Sequence, residues 1–413
     1  MEEYKLEEAS SRSSSSNNNR SSNGKTSKMA WLVTFSTMLV NAACSIMWVS
    51  CASAPLTSAE WMGGSLSNVN WLSSLCAIDN SVFSLVCIWA YERFGVKRCL
   101  VFSAAINSIG SWIRCIAIAL PIDKRYPVVV VGQALAGIGG PFAYKYVAVQ
   151  KFKGDLASVW FAPQDRNLGA TLATLSLGQI AAPLFIPAVA NTGDKVPTML
   201  YATAIIATVC AIPIMLMPGL PKVPPANSAT SPRLSICEGI KQLVKSKDYW
   251  FIAIPAIVNA GMFYTMTVVI IEAAVPYGYN EQQSGIANAL LMLSGFAGGG
   301  IIGYWIGRTG EHLAMIKLFT PILCGMFVMV NFQILYPIPE SLSSNVTWSL
   351  VTAGMLIFTV ITDSLRAGPE ANPPNNMETA LMVCSIIVCV GSLPVIWLKG
   401  ELKRLAIDRA SSI

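Results

Sequence analysis

The chain has 413 residues, 54% of them hydrophobic and 12% charged, with a mean hydropathy of +0.54 and a formal net charge of +6. A charged fraction near half of the ~25% usual in soluble domains excludes an ordinary soluble fold and marks an integral membrane protein. The Lys and Arg residues sit in short clusters between apolar runs, which excludes a contiguous nucleic-acid surface; one histidine, His312, and 11 cysteines with no CxxC pair leave no metal site or disulfide framework.

Residues 1–28 are polar and low in complexity and are expected to form a disordered cytoplasmic tail. A helical span needs about 20 mostly apolar residues, and the runs that follow are long and unalternating, so helices are predicted rather than barrel strands. They fall at 29–50, 68–90, 99–120, 126–147, 168–190 and 198–217, a six-helix bundle over 29–217. Residues 218–248 form a cytoplasmic linker, proline-rich at first and ending in a short amphipathic helix over 234–247. Further spans at 249–271, 284–306, 313–335, 347–363 and 377–398 make a second bundle of five over 249–398, followed by a basic tail, 399–413. The fold class is therefore an all-α membrane protein with eleven spans.

Lys and Arg concentrate on the cytoplasmic side of short loops. Lys25 and Lys28 precede the first span; Arg93, Lys97 and Arg98 follow the second; Lys151, Lys153 and Arg166 follow the fourth; five more lie in the linker. Residues 51–67, 272–283 and 336–346 contain none and are expected outside, the last with a sequon at Asn345-Val346-Thr347; Lys124 and Arg125 are the exception. The N-terminus is placed in the cytoplasm. Charge puts Lys399, Lys403, Arg404 and Arg409 there too, yet eleven spans would end outside, so one crossing is short. The turn Glu92-Arg93-Phe94-Gly95, with Arg98, echoes Gly307-Arg308-Thr309-Gly310 after the eighth span. Such a turn suits close helix approach and gating contacts at the cytoplasmic face; the plain alternative is a positive-inside loop.

Polar groups inside apolar spans are costly and point to function. Asp79, beside Asn80, is suited to a cationic substrate or a coupling proton, or else to a structural pairing with Arg114. Gln133, Gln179, Asn107 and Asn259 offer uncharged hydrogen bonds, which more often join helices than bind ligands. No nucleotide-binding motif and no Ser/His/Asp or Cys/His arrangement is present, so neither a pump nor an enzyme is expected.

The segments IMWVSCASAP, NSIGSWIRC, GQALAGIGGPF, ASVWFAPQDRNLGATLATLSLGQIAAP, GMFYTMT and PYGYNEQQSG resemble the major facilitator superfamily, and within it the FLVCR-related branch. The resemblance covers Trp31 to Lys403. It implies two pseudo-repeated helical bundles, a substrate site near the membrane midplane, and secondary transport of a small organic metabolite by alternating access. That metabolite would be a choline- or ethanolamine-like amine or haem, the amine being favoured by the aromatic and acidic residues. Members that handle choline use a tryptophan in span one and a tyrosine in span seven, positions matched by Trp48 and Tyr264. Their span-four glutamine corresponds to Gly140. Two departures stand out: AYKYVAVQKFKGDL is longer and more basic than the family's connection, and WSLVTAGMLIFTVITDSLRAG reads as the front of span ten joined to the end of span eleven. Most of the eleventh helix would then be lacking, and the run 348–366 would leave and return to the outside, through a misread exon or in a divergent isoform. The alternative function is a non-transporting receptor or inactive isoform on the same scaffold. The reading implies no cofactor and no catalytic residue. Its partners are a small substrate, the bilayer and an unspecified coupling ion, with no nucleic acid, in a monomer of the plasma membrane or an organelle membrane.

Overall fold

The computed structural model describes residues 28–144, 176–216, 236–309 and 340–394, and the regular elements there are all helices. In the first half these are α1 (Lys28–Val49), α2 (Pro55–Met62), α3 (Leu66–Phe94), α4 (Val96–Ile116), α5 (Ile122–Gly137), α6 (Gly139–Tyr144), α7 (Leu177–Val189) and α8 (Val196–Leu216). In the second half they are α9 (Ile236–Lys245), α10 (Lys247–Ala274), α11 (Glu281–Thr309), α12 (Glu340–Ser364) and α13 (Glu378–Ser392). Among the described residues, seven helices are long and apolar enough to cross a membrane, and α7 and α13 are shorter apolar helices. Their outward faces carry Trp89, Ile109, Val131, Ile205, Val209 and Val390 exposed, and α11 carries Leu290 exposed. Apolar side chains on the outside, with Ser, Thr and Asn buried between helices, are what a lipid-facing bundle requires.

Local sequence sets the breaks. The α1 run has neither Gly nor Pro and stays helical to Val49; Pro55 then opens α2 at its first position, where a missing N–H costs nothing. Gly95 has φ +81°, a conformation an L side chain adopts only under strain, and lets α4 start directly after α3. The tight turn anticipated at 92–95 is formed there.

Side-chain contacts show which way each span runs. At the near end, where α1 starts, Tyr249 of α10 meets Thr347 of α12, and Leu243 of α9 packs with Ile88 of α3 and Tyr249. At the far end, Asn70 near the start of α3 meets Glu272 near the end of α10 and Asp363 near the end of α12. So α1, α10 and α12 run from near to far, and α3 runs back. α11 begins at the far end, where Glu281 meets α2, and its 29 residues carry it ~43 Å toward the near end.

This direction corrects two expectations. Asn345 is buried within α12 at the near end, not in an outside loop, so the sequon lies in a helix. The stretch 348–364 runs from the near end to the far end within one continuous helix instead of returning to the side it left. Within the first half α7 packs against α1 and reaches α11 of the other half; α12 packs against α10 and reaches α3 in the corresponding way. The ninth span expected at 313–335 lies outside the described residues. α13 then starts from the far end, since Cys384 meets Thr362 and Ser392 meets Asn259 farther down α10; the basic tail expected at 399–413 lies outside the described residues.

Arg125, the misfit in the charge pattern, is held structurally: its Nη1 donates to Trp61 O at 2.9 Å and its guanidinium lies 4.7 Å from the Trp61 ring centroid. A cation placed over an indole face is stabilised there without reference to membrane side.

Candidate functional site

The centre of the molecule is an aromatic cluster drawn from both halves. Trp48 of α1 stacks on Tyr264 of α10 with ring centroids 5.9 Å apart and planes 15° apart. Tyr144, the last residue of α6, lies 6.2 Å from Trp48. Trp348 of α12 stands edge-on to Tyr264 at 5.5 Å and 82°. Each such pair stabilises by about 0.5–1.5 kcal/mol beyond area burial, so the four rings tie the halves together at mid-depth. Trp48 is fixed by its own Nε1, which donates to Ser73 O at 3.2 Å.

The remaining sequence-predicted residues divide into two groups. Gln133 joins the cluster: its Nε2 donates to Trp48 O at 3.4 Å and reaches Cys76 Sγ at 3.5 Å, while its Oε1 is buried without a partner. Asp79 is one turn along α3 from Cys76. Its Oδ2 is buried without a hydrogen-bond partner and lies in a notch made by Gly137, where an added Cβ would collide with it. Asn80 donates to Cys76 O at 2.9 Å, and its Oδ1 also lacks a partner. A Cβ at Gly140 would meet both Tyr144 and Asn80, so the glycine lets ring and carboxylate neighbourhoods adjoin. The region holds acceptor oxygens short of donors beside aromatic rings, an arrangement that favours a cation.

The other group stands apart. Asn259 is satisfied by Pro255 O and Ser392 Oγ, each at 2.9 Å, and serves as a contact between α10 and α13. Gln179 is buried on α7 and shares none of the hydrogen bonds of the Trp48 cluster; beside it, Gly178 lies against the Ala42 carbonyl. The pairing of Asp79 with Arg114 is not formed. Arg114 is fully buried at 0% and donates through Nη2 to Ser50 Oγ at 2.8 Å and Cys51 Sγ at 3.6 Å. Of the cytoplasmic-turn residues, Arg93 and Arg98 are exposed at the near end; Gly95 makes the turn, and the Glu92 and Arg308 side chains lie outside the described ones.

Two polar contacts at the far end were not anticipated. Glu281, at the start of α11, accepts from Leu56 N at 2.7 Å, Thr57 N at 3.3 Å and Thr57 Oγ1 at 2.6 Å, the α2 start. Burial raises its carboxyl above the ordinary 4.5, and the donors from Thr57 and Leu56 pull it back only in part. Arg366, just past α12, lies 2.9 Å from Glu272 Oε1 and 2.8 Å from Asp363 Oδ1. Asn70 donates to the same two oxygens at 3.0 and 3.2 Å, and Ser67 donates to Asp363 Oδ2. The signal for Glu272 was present in VVIIEAAVPYG, a lone carboxylate closing an apolar run. Tyr144 and Trp348 gave no local signal, because their ring partners lie on distant elements.

Comparison with known proteins agrees with the helical fold. Residues 30–395 match the Major Facilitator Superfamily. Solute carrier family 49 member A3 of Xenopus tropicalis is 27% identical over 306 residues, covering 71% of this chain and 62% of the relative. The choline/ethanolamine transporter FLVCR2 of Homo sapiens is 23% identical over 322 residues, covering 74% of this chain and 60% of the relative. The chain thus spans about three fifths of the length of these curated relatives. Among solved structures, a point mutant of the nucleoside transporter NupG superimposes with a TM-score of 0.63 at 9% identity, over 90% of this chain and 100% of the other; at that identity the likeness concerns the fold alone.

Proposed function

Because the chain belongs to the Major Facilitator Superfamily, we propose that it is a secondary transporter that carries a small organic cation, of the choline or ethanolamine type, between the two faces of a membrane by alternating access. The observation that carries this reading is the Trp48–Tyr264 stack joining the halves, with Tyr144 and Trp348 as further walls. A quaternary ammonium is attracted to ring faces within about 6 Å of their centroids. At 5.9 Å the two stacked rings cover one another, so the ammonium parts them or docks where Tyr144 and Trp348 turn away from the stack. Asp79 supplies the counter-charge. The free Oε1 of Gln133 and the buried, unpartnered Nε1 of Trp348 are positioned to bond a hydroxyl or amine on the same ligand. Both walls come from one chain, so a monomer suffices. The near end, with α1's start and the exposed Arg93 and Arg98, is taken as the cytoplasmic face.

The test is binding of choline to the purified full chain, read from intrinsic tryptophan fluorescence. Its uncharged isostere 3,3-dimethylbutan-1-ol serves as control. A desolvated cation–π contact is worth about 2 kcal/mol, and each 1.4 kcal/mol is about tenfold. Choline is expected to bind at least tenfold more tightly than the isostere, and Trp48→Ala to lose at least tenfold while Trp48→Phe keeps part of the affinity. Equal affinity for the isostere, or no choline binding at all, overturns the cation reading.

A further inference from the structure

The far-end contact around Arg366 is out of balance in charge. Two carboxylates, Glu272 and Asp363, share one guanidinium. The neutral donors Asn70 and Ser67 go to Glu272 Oε1 and to both Asp363 oxygens, which leaves Glu272 Oε2 buried with no partner. Side-chain exposure is 13% for Arg366, 19% for Asp363 and 0% for Glu272. The surplus charge therefore belongs to the one carboxylate that water does not reach. An uncompensated buried carboxylate costs several kcal/mol, and more in a membrane-embedded interface. α3 contributes only the uncharged Asn70 to Glu272 and Ser67 to Asp363, α12 and its end contribute Asp363 and Arg366, and Glu281 of α11 is engaged on α2 instead.

We propose that this contact is a proton-binding latch: one proton, taken from water at the far face as the halves meet, sits on Glu272 Oε2 and is released there when the halves separate. Formation of the O–H bond neutralises the surplus charge, and opening returns the proton to water once Glu272 is hydrated. A sodium ion fits poorly, because the neighbouring oxygens are already used by Arg366, Asn70 and Ser67, which leaves one free oxygen where a small cation needs several. The latch joins the first half (Ser67, Asn70) to the second (Glu272, Asp363, Arg366), so its proton biases which face of the transporter is open. Closure binds a proton, so it is favoured as pH falls. The inference rests on alternating access but not on the identity of the substrate.

The experiment places nitroxide labels at Ser65→Cys and Ser364→Cys, both exposed at the far end, in the reconstituted full chain with the exposed Cys389 replaced by serine. A Glu281→Gln background removes that carboxyl's own titration. The closed population is expected to rise as pH falls, by up to tenfold in closed-to-open ratio per pH unit for one proton, at constant sodium. Glu272→Gln, which keeps the shape without the charge, is expected to stay closed at every pH. Difference infrared spectroscopy on the wild-type pair gives a readout that needs no latch variant: a protonated-carboxyl band that grows with the closed population. A pH response that persists in Glu272→Gln, a closure that follows sodium at fixed pH, or absence of the band overturns the latch. If choline moves the label distance and pH does not, the latch fails and alternating access stands. If neither moves it, both fail.

Discussion

The choice between a structural and a functional Asp79 turns on one glycine. Gly137 has no side chain where Asp79 Oδ2 lies, and an alanine there would force the carboxylate out of its notch. Gly137→Ala is therefore expected to weaken choline binding at least tenfold with the fold intact, and to add no further loss in an Asp79→Asn background, since residues that act together are non-additive. Fluorescence titration of the four proteins in that double-mutant cycle checks it; additive losses would show that the glycine serves packing alone. At this scale sequence was informative where a residue is costly on its own terms. A carboxylate in an apolar span announces itself, so Asp79 was legible, and Trp48 and Tyr264 were legible through the family segments that carry them. Tyr144 and Trp348 were not, because an aromatic in a membrane helix is ordinary until its cross-element partners are known. Asn259 read the same as Gln133, and only the positions of Ser392 and Trp48 separate them.

Helix proximity here depends on where side chains are missing. Gly285 of α11 lies against the Pro183 carbonyl of α7, across the halves, whereas a Cβ at Gly295, ten residues on, would meet nothing within 4 Å. Overpacking a tight contact costs about 1–3 kcal/mol. Gly285→Ala is therefore expected to lower the midpoint of thermal unfolding in detergent, with Gly295→Ala unchanged; equal midpoints for both would mean that α7 and α11 do not meet this closely. Most helices were legible from apolar run length, including the amphipathic one, now α9. The course of the chain near 340–366 was not. Absence of Lys and Arg from 336–346 was read as an outside loop, but absence of charge is weak evidence of side when the stretch beginning at Glu340 is itself a helix.

Among the described residues the contacts between the two halves include polar and charged ones at the far end, aromatic ones in the middle, and apolar ones at the near end, where Ile88, Leu243 and Tyr249 meet. At Glu281, acid strengthens the far contact. For Glu281, whose value burial raises above 4.5, the stabilisation is fully present below the open-state value and is lost as pH rises through the raised one. A protein held at both ends and in the middle by separable contacts is suited to exchanging one end for the other around a fixed central site. The two-bundle plan was legible in the sequence through its internal echo and its family segments. The polar contacts between the halves at the far end were not, because each pairs residues about 200 or more positions apart, such as Asn70 with Glu272. The most direct measurement of the central claim is uptake of labelled choline into proteoliposomes holding the full chain. The account predicts saturable uptake that is accelerated by choline on the opposite side and lost in Trp48→Ala. Choline binding without any such flux would contradict it and identify the chain as a sensor on a transporter scaffold.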